Sequence, residues 1–282
     1  MHGLARSGRC PALAVQYPPN PWGEPAPLWA AIAEALSAHD DFLCEYLASP
    51  PQTNEVARSS ALLGAALILA RRTGLPLAWN EIGASAGLNL AFDQYRYELG
   101  SIQYGSAGGP VTIKSSWEGS LPPLDAPLRV VERAGADLKP LLASAPVHRE
   151  RLISYIWPDQ AERIERTLAA LDVAAAAPWQ VERASGAEWL AARFELPLAA
   201  GRVHVLAHTI VWQYLPQPER DAISAVMNRA GAQATPLAPV AWISMEADEV
   251  RDGAAVHLTL WPPGERTLIA RADFHGRWVR WL

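Results

Sequence analysis

The residues with the clearest chemical meaning lie in LAWNEIGASAGLNLAFDQYRY, Leu77 to Tyr97. An apolar run ends at Glu81, and a turn containing Gly83, Ala84, Ser85 and Gly87 follows before a stretch patterned as a helix. Open α/β sheets bind ligands beyond the carboxyl ends of their strands, where such a turn sits. Glycine lets the chain bend sharply there and lets a ligand approach the backbone. A helix starting at 86–88 would offer free amides to a negative group. Glu81 discriminates among ligands: a pyrophosphate over the turn would be repelled by a carboxylate. The spacing G-A-S-A-G also differs from the G-x-G-x-x-G of dinucleotide sites. The alternative is a turn that merely packs a helix on a sheet.

A cationic or zwitterionic ligand would be attracted by Glu81. S-adenosylmethionine fits that description, since it carries an ammonium and a sulfonium and no phosphate. His208, in AHTIVWQYLP at the end of another strand pattern, has a side chain suited to general-base work near neutrality. A core histidine, or one capping a helix, is its plain alternative. Tyr214, in the same stretch, is a candidate for binding the substrate.

The elements that must position these groups alternate. Leu28–Leu47 reads as one amphipathic helix, SPPQTNEV breaks it, and Glu55–Arg72 is a helix apolar nearly all round at 61–70, hence buried. Gly74 and Pro76 stop it. Strands are expected at 77–82, 129–137, 179–183, 202–207 and 240–246, with helices at 88–97, 147–155, 159–174, 187–194 and 218–230. Residues 98–127 are turn-rich, with a hairpin between 101–104 and 111–117 around GSAGG. After 246 two strands, 255–261 and 266–272, form an antiparallel hairpin that 277–282 extends. Alternation of strand and helix implies a mostly parallel sheet with helices on both faces. The expected fold is therefore α/β, Rossmann-like, with a C-terminal antiparallel hairpin. An N-terminal helical segment, 1–73, precedes the Rossmann-like domain, 74–282, into which 98–127 is inserted.

Composition narrows the function classes. The chain has 282 residues, half of them hydrophobic and 19% charged, so a large core is expected. A net charge of −5 argues against a general nucleic-acid binder. Cys10 and Cys44 form no close pair, which fits a reducing compartment. No signal-peptide pattern is present, and the most apolar window, 61–70, is too short to span a bilayer. A cytoplasmic protein without membrane contact, acting on a small molecule, is expected. No pattern at metal-ligand spacing is seen. The twelve tryptophans follow no repeat, and most are expected in the core.

The pattern E-x-G-x-S-x-G resembles the first motif of class I methyltransferases, with Ser85 in place of the central glycine. Together with QTNEVARSSALL (52–63), RAGADLKP (133–140), YIWPDQAERI (155–164) and ARADFHGRWVRWL (270–282), it makes the chain resemble a bacterial family of unassigned function with a methyltransferase-like fold. Members of that family carry a further helical region ahead of the part matching residues 1–50, so this chain is expected either to start within it or to be a shorter variant. The resemblance implies that Glu81 and the 83–87 turn hold the amino-acid end of S-adenosylmethionine and that Asp137 holds the ribose hydroxyls, with Glu132 the competing acid. Ser185 and Gly186 fall where adenine would be contacted, and His208 where catalytic groups lie. Asn54 and Glu55 would sit over the mouth of the turn, and Tyr95, Arg96 and Trp157 would line a substrate cleft. Each has a structural alternative; Asn54, for one, can cap a helix.

These readings lead to an S-adenosylmethionine-dependent methyltransferase acting on a small molecule. A non-catalytic or divergent ligand-binding protein on the same fold is the second expectation. A nicotinamide-dependent oxidoreductase is disfavoured by Glu81 and the glycine register.

Overall fold

The computed structural model describes residues 1–282 apart from Trp22, Ser49 and Pro50. The chain opens with four helices: α1 (His2–Arg6), α2 (Pro11–Ala14), α3 (Pro25–Ala38) and α4 (Asp40–Leu47). The single helix expected over 28–47 is thus two. His39 leaves helical backbone geometry at φ −131°, and Asp40 and Asp41 occupy the first turn of α4, where negative charge favours a new N-terminus. The expected break after α4 begins at Ser49-Pro50, which lie outside the described residues. These helices bury a small core of their own around Leu4, Leu13 and Ala35.

The long apolar helix is α5 (Ser59–Thr73), entered through a 3-10 turn at Val56–Arg58 and closed by left-handed Gly74. β1 (Leu77–Ile82) follows, buried along its whole length. The helix expected at 88–97 is instead a 3-10 run, Leu88–Gln94, and the chain then extends into β2 (Arg96–Leu99). Tyr95 and Tyr97 explain this: their hydroxyls donate back to the Leu88 and Phe92 carbonyls, pinning the segment in a tighter coil. β3 (Ile102–Tyr104) pairs antiparallel with β2, and β4 (Thr112–Glu118) pairs parallel with β2 on its other side. The hairpin expected between 101–104 and 111–117 therefore does not form; its two strands flank a third.

The remaining elements are β5 (Val130–Asp137), α6 (Pro146–Ser154), α7 (Ala161–Ala176), β6 (Val181–Arg183), α8 (Gly186–Arg193), β7 (Val203–Thr209), α9 (Gln217–Ala232), β8 (Val240–Glu246), β9 (Ala254–Trp261), β10 (Glu265–Ala272) and β11 (Trp278–Trp281). They complete one sheet of order β3-β2-β4-β11-β10-β9-β8-β7-β1-β5-β6. The half from β6 to β8 is parallel, and β8 to β11 form an antiparallel meander. β11 then meets β4 in parallel, so the inserted region and the C-terminal strands extend a single sheet. The fold is α/β, as expected.

Side chains alternate between faces along a strand, and the two faces are covered differently. α5 touches β4, β7, β8, β9 and β10, which explains why it is apolar all round. α8 and α9 cover the other face from β5 to β9 and pack on Ile82, Ala136, Leu206 and Val240. Among the described residues no helix is long and apolar enough to cross a membrane. Fully sequestered tryptophans are fewer than expected. Trp79, Trp189 and Trp281 are buried, whereas Trp29 and Trp157 are 67% and 72% exposed.

Gly64 of α5 lies directly against the Trp281 ring, where a β-carbon would overlap it. Alanine in a helix gains about 1 kcal/mol over glycine, but overpacking a filled core costs about 1–3 kcal/mol. Gly64→Ala is therefore expected to lower stability by up to about 2 kcal/mol, read by urea denaturation.

Candidate functional site

The parallel strand order reverses beside β1, because the chain leaves it toward β5 and β6 and returns to β7 on its other flank. The carboxyl ends of β1 and β7 thus mark the switch point at which such sheets bind ligands. The turn leaving β1 is sharp. Gly83, Ser85 and Gly87 have φ of 66°, 54° and 73°, a region open to glycine and strained for serine. Buried Ala84 between them donates its amide to the Ala136 carbonyl of β5 at 3.1 Å.

The amides of this turn are already bound. Asn54 Oδ1 accepts from the Ala86 and Leu88 amides at 3.2 and 3.0 Å. The free amides expected at 86–88 are therefore occupied, and Asn54 caps this turn rather than the helix next to it in sequence. Asp137, the last residue of β5, accepts from the Ser85 amide at 2.9 Å through Oδ2. Its Oδ1 accepts from the Lys139 amide at 2.8 Å and from Gln52 Nε2 at 3.3 Å. Asp137 is the acid at the strand end. Glu132 lies earlier in β5 and pairs with Arg193 and Arg202.

Glu81 is buried, 2% exposed, and its Oε2 has no hydrogen-bond partner. Burial pushes its carboxyl up to about 8; Arg58 opposes this and Asp137 adds to it. At neutral pH the free protein therefore carries Glu81 mainly protonated, not as the anion the sequence suggests. Ser85 Oγ and Asn89 Oδ1, both buried, also lack partners. Three orphaned oxygens at one strand–turn unit are uncommon in a folded interior, where nearly all buried polar groups are paired.

Two residues missed in the sequence close the site from above. Arg58, 6% exposed, donates Nε to the Phe274 carbonyl at 2.8 Å and Nη1 to the Thr209 carbonyl at 3.5 Å. Its signal was an arginine heading a helix apolar all round. Val211 packs on Gly83 so closely that a β-carbon there would stand 2.6 Å from Val211 Cγ2. Ile210 before it has φ 51°, a strained conformation for a β-branched residue. This bend delivers Val211 to the turn.

Glu55 is the centre of a second buried cluster. Arg163 Nε lies 2.6 Å from Oε2, Arg166 Nη2 lies 3.3 Å from Oε1, and His275 Nδ1 lies 3.7 Å from Oε2. Burial would raise this carboxyl, but His275, the two arginines and the Ala57 amide hold it at about 2. Glu55 thus stays ionised as an internal counter-ion.

His208 stands on the other face of the sheet. In register, Glu81 pairs with Ala207 and faces the α5 side with it, so His208, one residue on, faces α9. Its Nδ1 is 2.7 Å from Glu246 Oε1, Trp242 Nε1 donates to its Nε2 at 2.9 Å, and its ring stacks on Trp212. With both nitrogens bound and 1% exposure, His208 is not a free base, and the structure does not unite it with Glu81. Ser185 caps α8 and donates to Glu219 Oε1, which also accepts the Ala187 amide. Glu219 of α9 thus supplies the carboxylate that the bare turn at 185–187 lacks, with Gly186 opening the helix.

The cleft expected from Tyr95, Arg96, Trp157 and Tyr214 is not assembled. Tyr95 is wholly buried. Arg96 binds Gln103 and the Ala107 carbonyl in the inserted strands. Trp157 and Tyr214 stand exposed on separate connections, after α6 and before α9.

The two glutamates act oppositely on stability. Glu81 has a raised folded pKa, so its contribution is complete below the unfolded value of 4.5 and is lost as pH rises to about 8, by at most about 1.4 kcal/mol per pH unit. Glu55 has a depressed one, so its contribution is complete above 4.5 and is lost as pH falls toward about 2. Denaturation across a pH series should show Glu81→Gln flattening the fall in stability between pH 4.5 and about 8. Glu55→Ala should cost about 3–5 kcal/mol at neutral pH, because it strands Arg163 and Arg166.

No curated protein and no solved structure matches the chain. The family described as "Uncharacterized protein conserved in bacteria (DUF2332)" matches residues 1–281. With nearly every residue covered, the chain belongs to that family.

Proposed function

We propose that the turn between β1 and the Leu88–Gln94 coil binds a cationic nucleoside cofactor of the S-adenosylmethionine type, and that the protein transfers a methyl group to a small molecule. The observation that carries this reading is the Glu81 carboxyl, buried at the switch point with one oxygen unpartnered. A carboxyl held neutral by burial becomes an anion once a cation is placed against it.

The fit is good in charge and incomplete in space. Glu81, Ser85 and Asn89 supply orphaned acceptors that suit an ammonium. Val211 and Asn54 fill the side of the turn that the ligand would enter. Binding in this reading therefore displaces Val211 from Gly83 and frees the Ala86 and Leu88 amides. Gln52 would yield Asp137 Oδ1 to a ribose hydroxyl. Bound there, S-adenosylmethionine supplies an electrophilic methyl group, and the protein's part is alignment of the acceptor. A ligand-binding protein without catalysis is the second reading, favoured by the hydrogen bonds that Asn54 and Asp137 already make to the turn.

Calorimetric titration with S-adenosylmethionine, S-adenosylhomocysteine and NAD tests this. The methylated cofactor is expected to bind more tightly as pH rises toward about 8, releasing close to one proton near neutrality, because Glu81 must ionise. Glu81→Gln should weaken it about tenfold or more and abolish proton release. Binding of NAD alone, or pH-independent binding, overturns the reading. Binding without turnover of any acceptor selects the second.

A further inference from the structure

We propose that a separate cavity, on the sheet face away from Glu81, binds a small saccharide ring. It encloses about 440 Å³ over β8, β9 and β10, beside α9, a size usual for small-molecule sites. The inference does not rest on the cofactor reading, although Glu246 of the cavity wall also holds the Val211 amide beside Gly83.

α9 packs on β8 and β9, and its Ser224 and Asn228 line the cavity together with residues of β8, β9 and β10. Trp242, Ser244 and Glu246 project from β8 on this face, in register with Thr259, His257 and Ala255 of β9. Trp212 and Trp242 meet at 59° with ring centroids 5.6 Å apart. They form a corner, not a parallel slot. A puckered ring can lay C–H groups on both sides of such a corner, whereas a flat ring stacks on only one of its walls at a time.

The polar lining points the same way. Glu246 uses Oε1 for His208 and the Val211 amide, and its Oε2 accepts no hydrogen bond among the described residues. Asn228, Ser244 and Thr259 side chains likewise make none. Burial and Arg266 lower the His257 imidazole below its ordinary value, which favours the neutral ring. Its Nδ1 faces Arg266 Nη2 at 3.2 Å and accepts from it, which leaves the proton on Nε2 as a donor. Donors and acceptors are thus mixed around an aromatic corner. Ring hydroxyls, which both donate and accept, satisfy such a set. Charge agrees: Asp248 is clamped by Arg271 at 2.8 and 3.0 Å, and Glu246 is opposed by Arg58. No strong field of one sign remains to select a polyanion.

Saturation-transfer NMR and calorimetry on the full chain, with glucose, galactose, N-acetylglucosamine, maltose and glucuronate up to about 10 mM, test the proposal. Adenosine and benzoate serve as flat-ring controls. At least one sugar is expected to bind. Asn228→Ala, an exposed change on α9, should weaken it several-fold with no loss of thermal stability. Ser244→Phe, which fills the cavity floor, should abolish it. Silence of every sugar overturns the proposal, as does sugar binding that ignores both variants or binding of the flat-ring controls alone.

Discussion

One short segment, Gln52–Arg58, satisfies buried polar groups at three strand ends at once, and the architecture around the switch point depends on it. Asn54 holds the turn after β1, Gln52 reaches the acid ending β5, and Arg58 binds the carbonyl that ends β7. A strand end buried beneath a helix would otherwise strand amides and carbonyls, each at a cost of about 1–3 kcal/mol. Glu55 adds charge to the same segment, tying it to α7 and to the loop before β11. Helix α5, which starts at Ser59, is thereby fixed over the sheet by polar contacts at its head and apolar contacts along its length.

The two faces of the sheet serve different ends. On the α5 side, burial is nearly complete, and the ionisable groups present are either clustered with partners or forced neutral. On the α9 side, cover stops short, and polar side chains meet water over β8 to β10. Alternation along each strand separates these environments by a single residue, so Ala207 and His208 belong to different chemistries. The His208–Glu246–Trp242 network then works as scaffolding. It anchors the chain after β7 through the Val211 amide and so holds Val211 against Gly83.

Much of this was legible from residue patterns, and what was not has identifiable causes. Strand–helix alternation and the glycine positions disclosed β1, the sharp turn after it and the parallel half of the sheet, because those signals are local. The contact of Asn54 with Ala86 and Leu88 leaves no periodic trace, since one side chain meets backbone from a distant part of the chain. Leu88–Tyr97 looked helical because its apolar spacing is helical; the hydroxyls of Tyr95 and Tyr97 override that spacing through bonds visible only in the fold. Glu81 was recognised as a strand-end acid, but its charge follows from burial, which composition does not reveal. The segregation of Glu81 and His208 required the register of β1 on β7, which no single strand carries.

β11, last of the strands in sequence, does not lie at a margin of the sheet: it sits between β10 and β4, with Trp281 beneath α5. During synthesis, β4 and its neighbours must wait with an unpaired flank until residues near 281 leave the ribosome. Such distant pairing makes assembly slow and leaves an open edge vulnerable to aggregation in the interval. A nascent chain halted before Trp278 lacks the keystone that joins its two halves.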